Sequence, residues 1–433
     1  MSDYMFVLES HLDATQNRVV NEIARIATDA GMNVWLTGGA MRDTLRGARI
    51  LDLDFTVERD AMRIGKALAQ SYRGKVLSED PLRRGMELQL GAVRASVFNA
   101  RTEKYSRPGG KPQIGKATIH EDLMRRDLTI NAMALTLNRG SRGLLIDPAN
   151  GQADLVNREL RSTNSYTLFD DPSRIFRMIR FKYVLGFEIA ARTQSQIENA
   201  LLDEYQKLVP VEALVAEIRA LSSSENAVAG LEAFDALGLL TLISPALTGL
   251  NLNAAGLTRF EKLAHTVLPH DATGGWLAFL TVLMEKMTPK ERGDVLRALH
   301  LPRAEADGLR KLPSEMKKLE AALKSAKITK PSHVYEALEG GRVDEILLVL
   351  YYSAHRIVQD RIRSYYQKYL PMAQEVTEEQ VASTGVKPGT PKFEKAFRAM
   401  VAAHLNARPR KMPVPEPEVV ATAPGPMAKA ARK

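Results

Sequence analysis

The stretch from residue 34 to residue 57 narrows the possible folds of this chain most, because two β-prone runs there flank a glycine pair and a short helical segment. Val34-Trp35-Leu36-Thr37 reads as a strand ending at Gly38-Gly39, Met41 to Arg46 has helical character, and Leu51 to Val57 alternates apolar and acidic residues over its first half. Two glycines at a strand-to-helix corner let backbone N–H groups approach a triphosphate, and the following helix N-terminus adds its positive dipole end. Asp52 and Asp54 are two apart on a strand, so they project from one face. Carboxylates placed this way can bridge a pair of Mg²⁺ ions, one lowering the pKa of an attacking hydroxyl and the other neutralising a departing pyrophosphate. A glycine pair or an Asp-x-Asp strand face is ordinary alone; their combination at this spacing points to in-line phosphoryl transfer. Ala92 to Phe98 and Gly143 to Ile146 are further strand candidates, and Arg83-Arg84 precede another strand-like run. No third carboxylate is evident in Ala92 to Phe98, so any further metal ligand is expected from substrate, water or a distant residue.

Strands give way to amphipathic helical patterns from about Asp170, first Ile175, Met178, Ile179 and Val184, then Ala213 to Leu221, then Leu231 to Leu240. Pro269, Pro302, Pro331 and Pro371 punctuate a helical array with no fixed-period repeat, and residues 385–389 form a turn before a last helix from Pro391 to His404. The expected class is therefore α+β, with a mixed sheet first and helices after it. With 433 residues, several packed units are expected in series. The longest strongly apolar run, Ile346 to Tyr352, is far shorter than the roughly 20 residues that span a bilayer. Asp3 and Glu9 stand where a signal or transit peptide would be basic, so a cytoplasmic protein with no membrane association is expected. The absence of cysteine excludes disulfides, thiolate zinc sites and cysteine nucleophiles. A net charge of +9 suits a polyanionic partner, although a basic surface alone does not establish one.

The segment from Leu36 to Val57 resembles the catalytic motif of polymerase-β-like nucleotidyltransferases, specifically the class II tRNA nucleotidyltransferase and bacterial poly(A) polymerase family. Four further motifs follow in that family's order: Arg125-Arg126-Asp127 with Asn131, Asp147 with Gly151 and Asp154, Asp170-Asp171 with Arg174, Arg177 and Arg180, and the helix around Glu212 to Leu221. The resemblance is strong over about residues 30 to 225. It implies a nucleotidyltransferase head over 1–150, a helical neck with the nucleotide-selecting motif over 151–268, a helical body over 269–370, a helical tail over 371–408 and a disordered basic segment over 409–433. It also implies two Mg²⁺ ions on the catalytic pair Asp52 and Asp54, CTP and ATP as substrates, and tRNA as partner, with no obligate protein partner.

Gly38, Gly39, Arg42, Arg126, Asp127, Asn131, Asp171, Arg174, Arg177 and Arg180 are the expected nucleotide-binding residues. Two guanidinium groups, a carboxylate and an amide near a helix start suit gripping phosphates and a ribose hydroxyl, and a capping cluster around Asp127 is the competing reading. The resemblance implies that Arg126 and Asp127 contact the sugar. Asp171 and Arg174, three apart at a helix start, can complement the edge of a base, or form a salt-bridged cap. In the family this pair selects CTP and then ATP; here Asp170 stands where the family has Glu, preserving charge with less reach. Arg101, Glu103, Tyr105 and Arg107, followed by a polar loop from Ser106 to Gly115, match the family's flexible element, whose presence favours full CCA or terminal A addition. Asp147, Gly151 and Asp154 read as turn and cap residues. Arg361, Arg363 and Lys387 are expected to meet RNA, while most of the tyrosines from Tyr351 to Tyr369 read as packing residues. His270-Asp271 is a chance pair, and no hydrolase activity is expected. The expected activity is template-independent CCA addition to tRNA. Alternatives are A-only or CC-only addition, poly(A) synthesis, or an idle RNA-binding scaffold.

Overall fold

The computed structural model describes residues 4–268 and 275–407; His270, Asp271 and the basic segment 409–433 lie outside them. The first third is built on a seven-stranded mixed sheet in the order β3-β4-β5-β2-β1-β8-β9. Its strands are β1 (Val34–Thr37), β2 (Asp52–Val57), β3 (Lys75–Asp80), β4 (Gly85–Leu90), β5 (Val93–Asn99), β8 (Ala134–Thr136) and β9 (Leu145–Ile146), with β6 (Arg101–Lys104) and β7 (Gln113–Lys116) forming a separate hairpin. Only the β2–β5 pair is parallel within the sheet, and every other neighbouring pair is antiparallel.

Period-two alternation divides the sheet into two faces. Leu36, Leu53, Phe55, Val57, Met86, Leu88, Ala95 and Val97 are fully buried on one of them. Helices α1 (Tyr4–His11), α2 (Ala14–Asp29), α3 (Gly39–Arg46) and α4 (Ala61–Ser71) belong to the same core. A capping box of Asp13 and Gln16 starts α2, and the Gln16 amide reaches the Ile50 carbonyl at 2.8 Å, tying the helix to the entry of β2. Any Cβ at Gly65 of α4 would lie 2.6 Å from Met86 Sδ, so glycine permits the close approach of helix to strand. The opposite face carries Asp52, Asp54, Thr56 and Ser96. It is covered only in part, by α5 (Ile119–Met124), whose Ile119 and Leu123 pack with Trp35, Ala132 and Ala134.

The rest is helical, as the loss of strand periodicity near Asp170 predicts, apart from a small parallel pair of Glu159–Leu160 with Glu188–Ile189. Helix α6 (Gly151–Asn157) is capped by Asp147, whose carboxylate accepts the Gly151 and Gln152 N–H groups at 2.7 and 2.9 Å. After it come α7 (Thr167–Asp170), α8 (Arg174–Leu185), α9 (Ala191–Leu202), α10 (Val211–Leu221) and α11 (Ala227–Ala236). Phe176 of α8 meets Phe234 of α11 edge to face, locking one side of α8 into the core and leaving Arg177 and Arg180 toward the sheet and α10. Pro302 immediately precedes helix Arg303–Lys324, and Pro331 and Pro391 are the first residues of helices Pro331–Leu338 and Pro391–Asn406. Residues 373–405 contribute a small hydrophobic cluster of their own, with Val381, Phe393, Val401 and Leu405 buried. Among the described residues no helix is long and apolar enough to cross a membrane.

Two expectations need correcting here. The stretch Ser106 to Gly115 is not all loop: Gln113 to Gly115 lie in β7 and pair with β6, and the Gly109 N–H donates to Phe169 O at 3.1 Å. Sequence pattern also missed β3, all but the last of whose residues are exposed, because it shows no apolar alternation and owes its conformation to pairing with β4.

Candidate active site

The register of β1 against β2 sets the site. Thr37 pairs with Asp54, so the Gly38-Gly39 corner follows immediately beside that carboxylate. Gly38 has φ +69° and ψ −133°, and a Cβ there would lie 3.2 Å from Arg126 Nη1 and 3.4 Å from Asp54 Oδ2. The backbone conformation demands glycine, and a Cβ would fit only tightly. Asp54 pairs with Ser96 of β5, whose hydroxyl donates to Asp54 Oδ1 at 2.6 Å. Sequence reading assigned Ser96 no role; only pairing across 42 residues reveals it.

Asp52 and Asp54 share a face, as expected, and among the described residues neither forms an ion pair with a lysine, arginine or histidine. Burial, then repulsion from Asp54 and Glu87, raises the Asp52 carboxyl above its ordinary value against the opposing pull of Arg94. Arg94 is engaged by Glu87 at 2.8 Å. Two adjacent carboxylates with no ion-pair partner among the described residues fit divalent cations. No cluster of three or more acidic or histidine side chains suited to a metal occurs among the described residues.

Asp54 also borders a pocket of about 350 Å³, lined further by Gly38, Gly39, Asp127, Asp171, Arg174 and Arg177 among others. Arg125 and Arg126 follow the end of α5 rather than a helix start, and both are held by Asp122, which is fully buried. Burial would raise the Asp122 carboxyl, but Arg126 and Arg125 outweigh it and depress it. Arg126 also donates to Thr56 Oγ1 at 3.1 Å, while its buried Nε has no partner among the described residues. Asp127 is no helix cap: its carboxylate accepts from Leu128 N–H and Asn131 Nδ2 and is paired with Arg177. Burial would raise its carboxyl, but Arg177 and Arg174 hold it well below the usual carboxylate range.

Arg174 and Asp171 meet at 3.9 Å on the pocket wall. Part of the competing cap reading holds as well, since Asp171 Oδ1 accepts the Ser173 N–H and hydroxyl at 3.0 and 2.6 Å. Arg174 itself donates to the Thr167 and Arg125 carbonyls at 3.3 and 2.9 Å. Asp170 is half-buried, which raises its carboxyl.

Several expected residues lie behind the pocket rather than on it. Arg42 forks onto Asp43 at 2.9 and 2.7 Å and donates to Asn131 Oδ1 at 2.9 Å. Arg180 is buried against Glu217 of α10 and lies 4.3 Å from the centroid of Phe181. Neither lines the pocket. Glu217, which also faces Arg177, was missed although its helix was noticed, because nothing local marks an acid whose partner is 37 residues away.

Arg101 and Glu103 lie on β6 and are bonded to each other at 2.7 Å; the Tyr105 hydroxyl donates to Glu103 at 2.6 Å, and Arg125 approaches that acid at 3.5 Å. Arg107 belongs to the turn that follows, its carbonyl accepting the Gly110 N–H at 3.1 Å. The hairpin is thus joined to Arg125 on the pocket lining. Far from this site, Arg361 donates to the Ser325 and Ile328 carbonyls at 3.4 and 2.7 Å and also to that of Leu323, at the carboxyl end of helix Arg303–Lys324. Its guanidinium is engaged by these carbonyls while the residue also borders a pocket with Arg356 and Asp360. Arg363 approaches Asp360 at 3.5 Å, Lys387 is exposed, and Tyr351 and Tyr365 are buried, in line with a packing role.

Residues 34–161 match the model of the poly(A) polymerase head domain. These residues carry a poly(A) polymerase head domain, and the chain is similar to tRNA nucleotidyltransferases. It is 32% identical over 270 residues to an A-adding tRNA nucleotidyltransferase of Halalkalibacterium halodurans, spanning 60% of this chain and 61% of that one. With the A-adding enzyme of Aquifex aeolicus the identity is 28% over 344 residues, covering 78% and 40%. A multifunctional CCA protein of Pseudomonas aeruginosa is 38% identical over 190 residues, covering 41% and 42%. This chain therefore spans less than two thirds of the length of these relatives. A Thermotoga maritima CCA-adding enzyme complexed with tRNA shares the fold at 22% identity and a TM-score of 0.55, covering 95% and 96% of the two chains.

Proposed function

We propose that this chain adds nucleotides to the 3′ end of tRNA without a nucleic-acid template, using CTP and ATP to complete the CCA terminus. The supporting observation is one arrangement: two carboxylates on one strand face with no ion-pair partner among the described residues, of which Asp54 adjoins the glycine corner and lines a pocket that also holds Asp171 and Arg174. Divalent cations held by Asp52 and Asp54 would supply charge compensation and an acidified 3′-hydroxyl. Around them the chain's own groups have separable tasks. Ser96 fixes the orientation of Asp54, the Gly38-Gly39 N–H groups and Arg126 meet the triphosphate, Asp127 and Asn131 face the sugar, and Asp171 with Arg174 face the base.

A narrower second reading, addition of the terminal A alone, is favoured by the A-adding names of the relatives aligned over the longest spans. Incubating the protein with tRNA transcripts ending before, within and after CCA, with each labelled nucleotide in Mg²⁺, separates the readings. Extension of all incomplete ends supports CCA addition, whereas extension only of the CC end by ATP supports the second. Asp52→Ala or Asp54→Ala should abolish incorporation and leave tRNA binding intact; full activity in either would remove the metal assignment.

A further inference from the structure

Helix α10 carries charged side chains on two nearly opposite faces. Glu212 and Arg219 are seven residues apart, about two turns, and share a face, whereas Glu217 and Arg219 are two apart and point roughly 160° away from each other. The Glu217 face is turned to the nucleotide pocket. Its carboxylate is paired with Arg180, approaches Arg177 Nη1 at 3.9 Å and lines the same space as Arg177. The other face meets helices that follow residue 275. Glu212 Oε1 lies 2.6 Å from His300 Nδ1, two residues past helix Pro289–Ala298. Arg219 Nη2 is paired at 2.5 Å with Glu305 Oε2, in the first turn of helix Arg303–Lys324.

The second of these contacts is a closed triangle. Trp276, at the start of helix Trp276–Leu283, donates its indole N–H to Glu305 Oε2 at 3.3 Å, and the Arg219 guanidinium lies 5.1 Å from the centroid of the Trp276 ring. Trp276 itself is buried. A solitary exposed ion pair holds a helix only weakly. Here one carboxylate serves two donors and the cation is also seated on an aromatic face, so displacing Arg219 breaks an ion pair and a cation–π contact together.

A rigid helix transmits a displacement of one face to the other. Groups on its surface sit about 5–6 Å from the axis, so a rotation of about 10° shifts them by about 1 Å. At Glu217 such a shift would move the acid against which Arg177 and Arg180 rest, and a displacement of that size far from the reacting atoms is enough to impair positioning. We infer that Arg219, clasped by Trp276 and Glu305, is a positioning residue for the nucleotide: it sets the rotation of α10, through it the place of Glu217, and so that of Arg177 on the pocket lining. The inference rests on the proposed nucleotidyltransferase reading, which is what puts a nucleotide in that pocket.

The test is steady-state incorporation of labelled ATP by the full chain into a tRNA transcript ending in CC, with ATP varied and tRNA saturating. Arg219→Met keeps an apolar stem over Trp276 and removes the charge, while Glu305→Leu removes the acceptor that Arg219 and Trp276 share. Each should raise the KM for ATP about fivefold with kcat unchanged, the low end for coupling between two sites. Added to Glu217→Gln, neither should raise the KM further, because both act through that acid. An unchanged KM in both single variants would overturn the assignment, even with a lowered melting temperature, since the clasp would then be structural only. Effects that multiply with that of Glu217→Gln would overturn it as well. So would a rise confined to the KM for tRNA, which would give the clasp to the RNA. If Arg219→Met fails to fold, Glu305→Leu decides alone. A wild-type protein that incorporates nothing into this transcript would sink the nucleotidyltransferase reading, and the coupling with it, whereas an active wild type with both variants unaltered would sink the coupling alone.

Discussion

Asp122→Asn tests how Arg125 and Arg126 are held on the pocket lining. Asp122 is 0% exposed and accepts from Arg101 N–H at 3.2 Å, Arg125 Nε and Nη2 at 3.0 and 2.6 Å, and Arg126 Nη2 at 3.0 Å. Asparagine keeps the shape but removes the charge and turns one acceptor into a donor, so N–H groups would face N–H groups. Breaking a buried ion pair by removing one partner costs about 3–5 kcal/mol, because the remaining charge stays buried without compensation. Arg125 and Arg126 are each 17% exposed at the side chain and regain only part of that in water, so the lower end, about 3 kcal/mol, applies. The effect is local and is best read by amide hydrogen exchange. Opening of β6 and α5 should speed up by about 100-fold, with little change in the last helix, Pro391–Asn406. The same variant should raise the KM for nucleotide, since Arg126 keeps only Thr56 and the Asn131 carbonyl as anchors. Exchange rates in 101–126 within a factor of two of wild type would refute the reasoning, by showing that Asp122 is a spectator.

Changing Asp171 to Ala or Arg174 to Ala should alter which nucleotide is incorporated in competition assays; an unchanged CTP-to-ATP ratio would exclude both from base selection. Asp122 and Asp127 are depressed in the folded state, so on acidification the unfolded chain binds protons first. Stability should therefore fall as pH drops below about 3.9, the ordinary aspartate value, and keep falling toward the depressed folded values. Melting temperature measured against pH checks this, and Asp122→Asn should flatten the slope. Arg361→Met should cost about 1–3 kcal/mol by leaving carbonyls at the end of helix Arg303–Lys324 without their donor. A loss of tRNA affinity without any loss of stability would instead restore the RNA-contact role expected for Arg361.

Legibility from sequence differs by kind of residue. Gly38, Gly39, Asp52 and Asp54 could be placed because strand periodicity alone puts the acids on one face, and a glycine pair between strand and helix has few other uses. The order of motifs placed Arg126, Asp127, Asp171 and Arg174 near them, and the structure gathers all four around one pocket. The change from period-two to helical patterning near Asp170 marked where the sheet ends and helices take over.

What tertiary structure alone decided is who answers whom. Ser96 reaches Asp54 through the β2–β5 register, Glu217 restrains Arg177 and Arg180 from another helix, and Arg361 caps a helix that ended 37 residues earlier. Arg42 and Arg180, indistinguishable in sequence from ligand-binding arginines, turn inward to Asp43 and Glu217. The reason is physical: backbone periodicity is short-ranged and written into neighbouring residues. The partner of a buried charge is chosen by packing across the chain, and no local pattern carries that information.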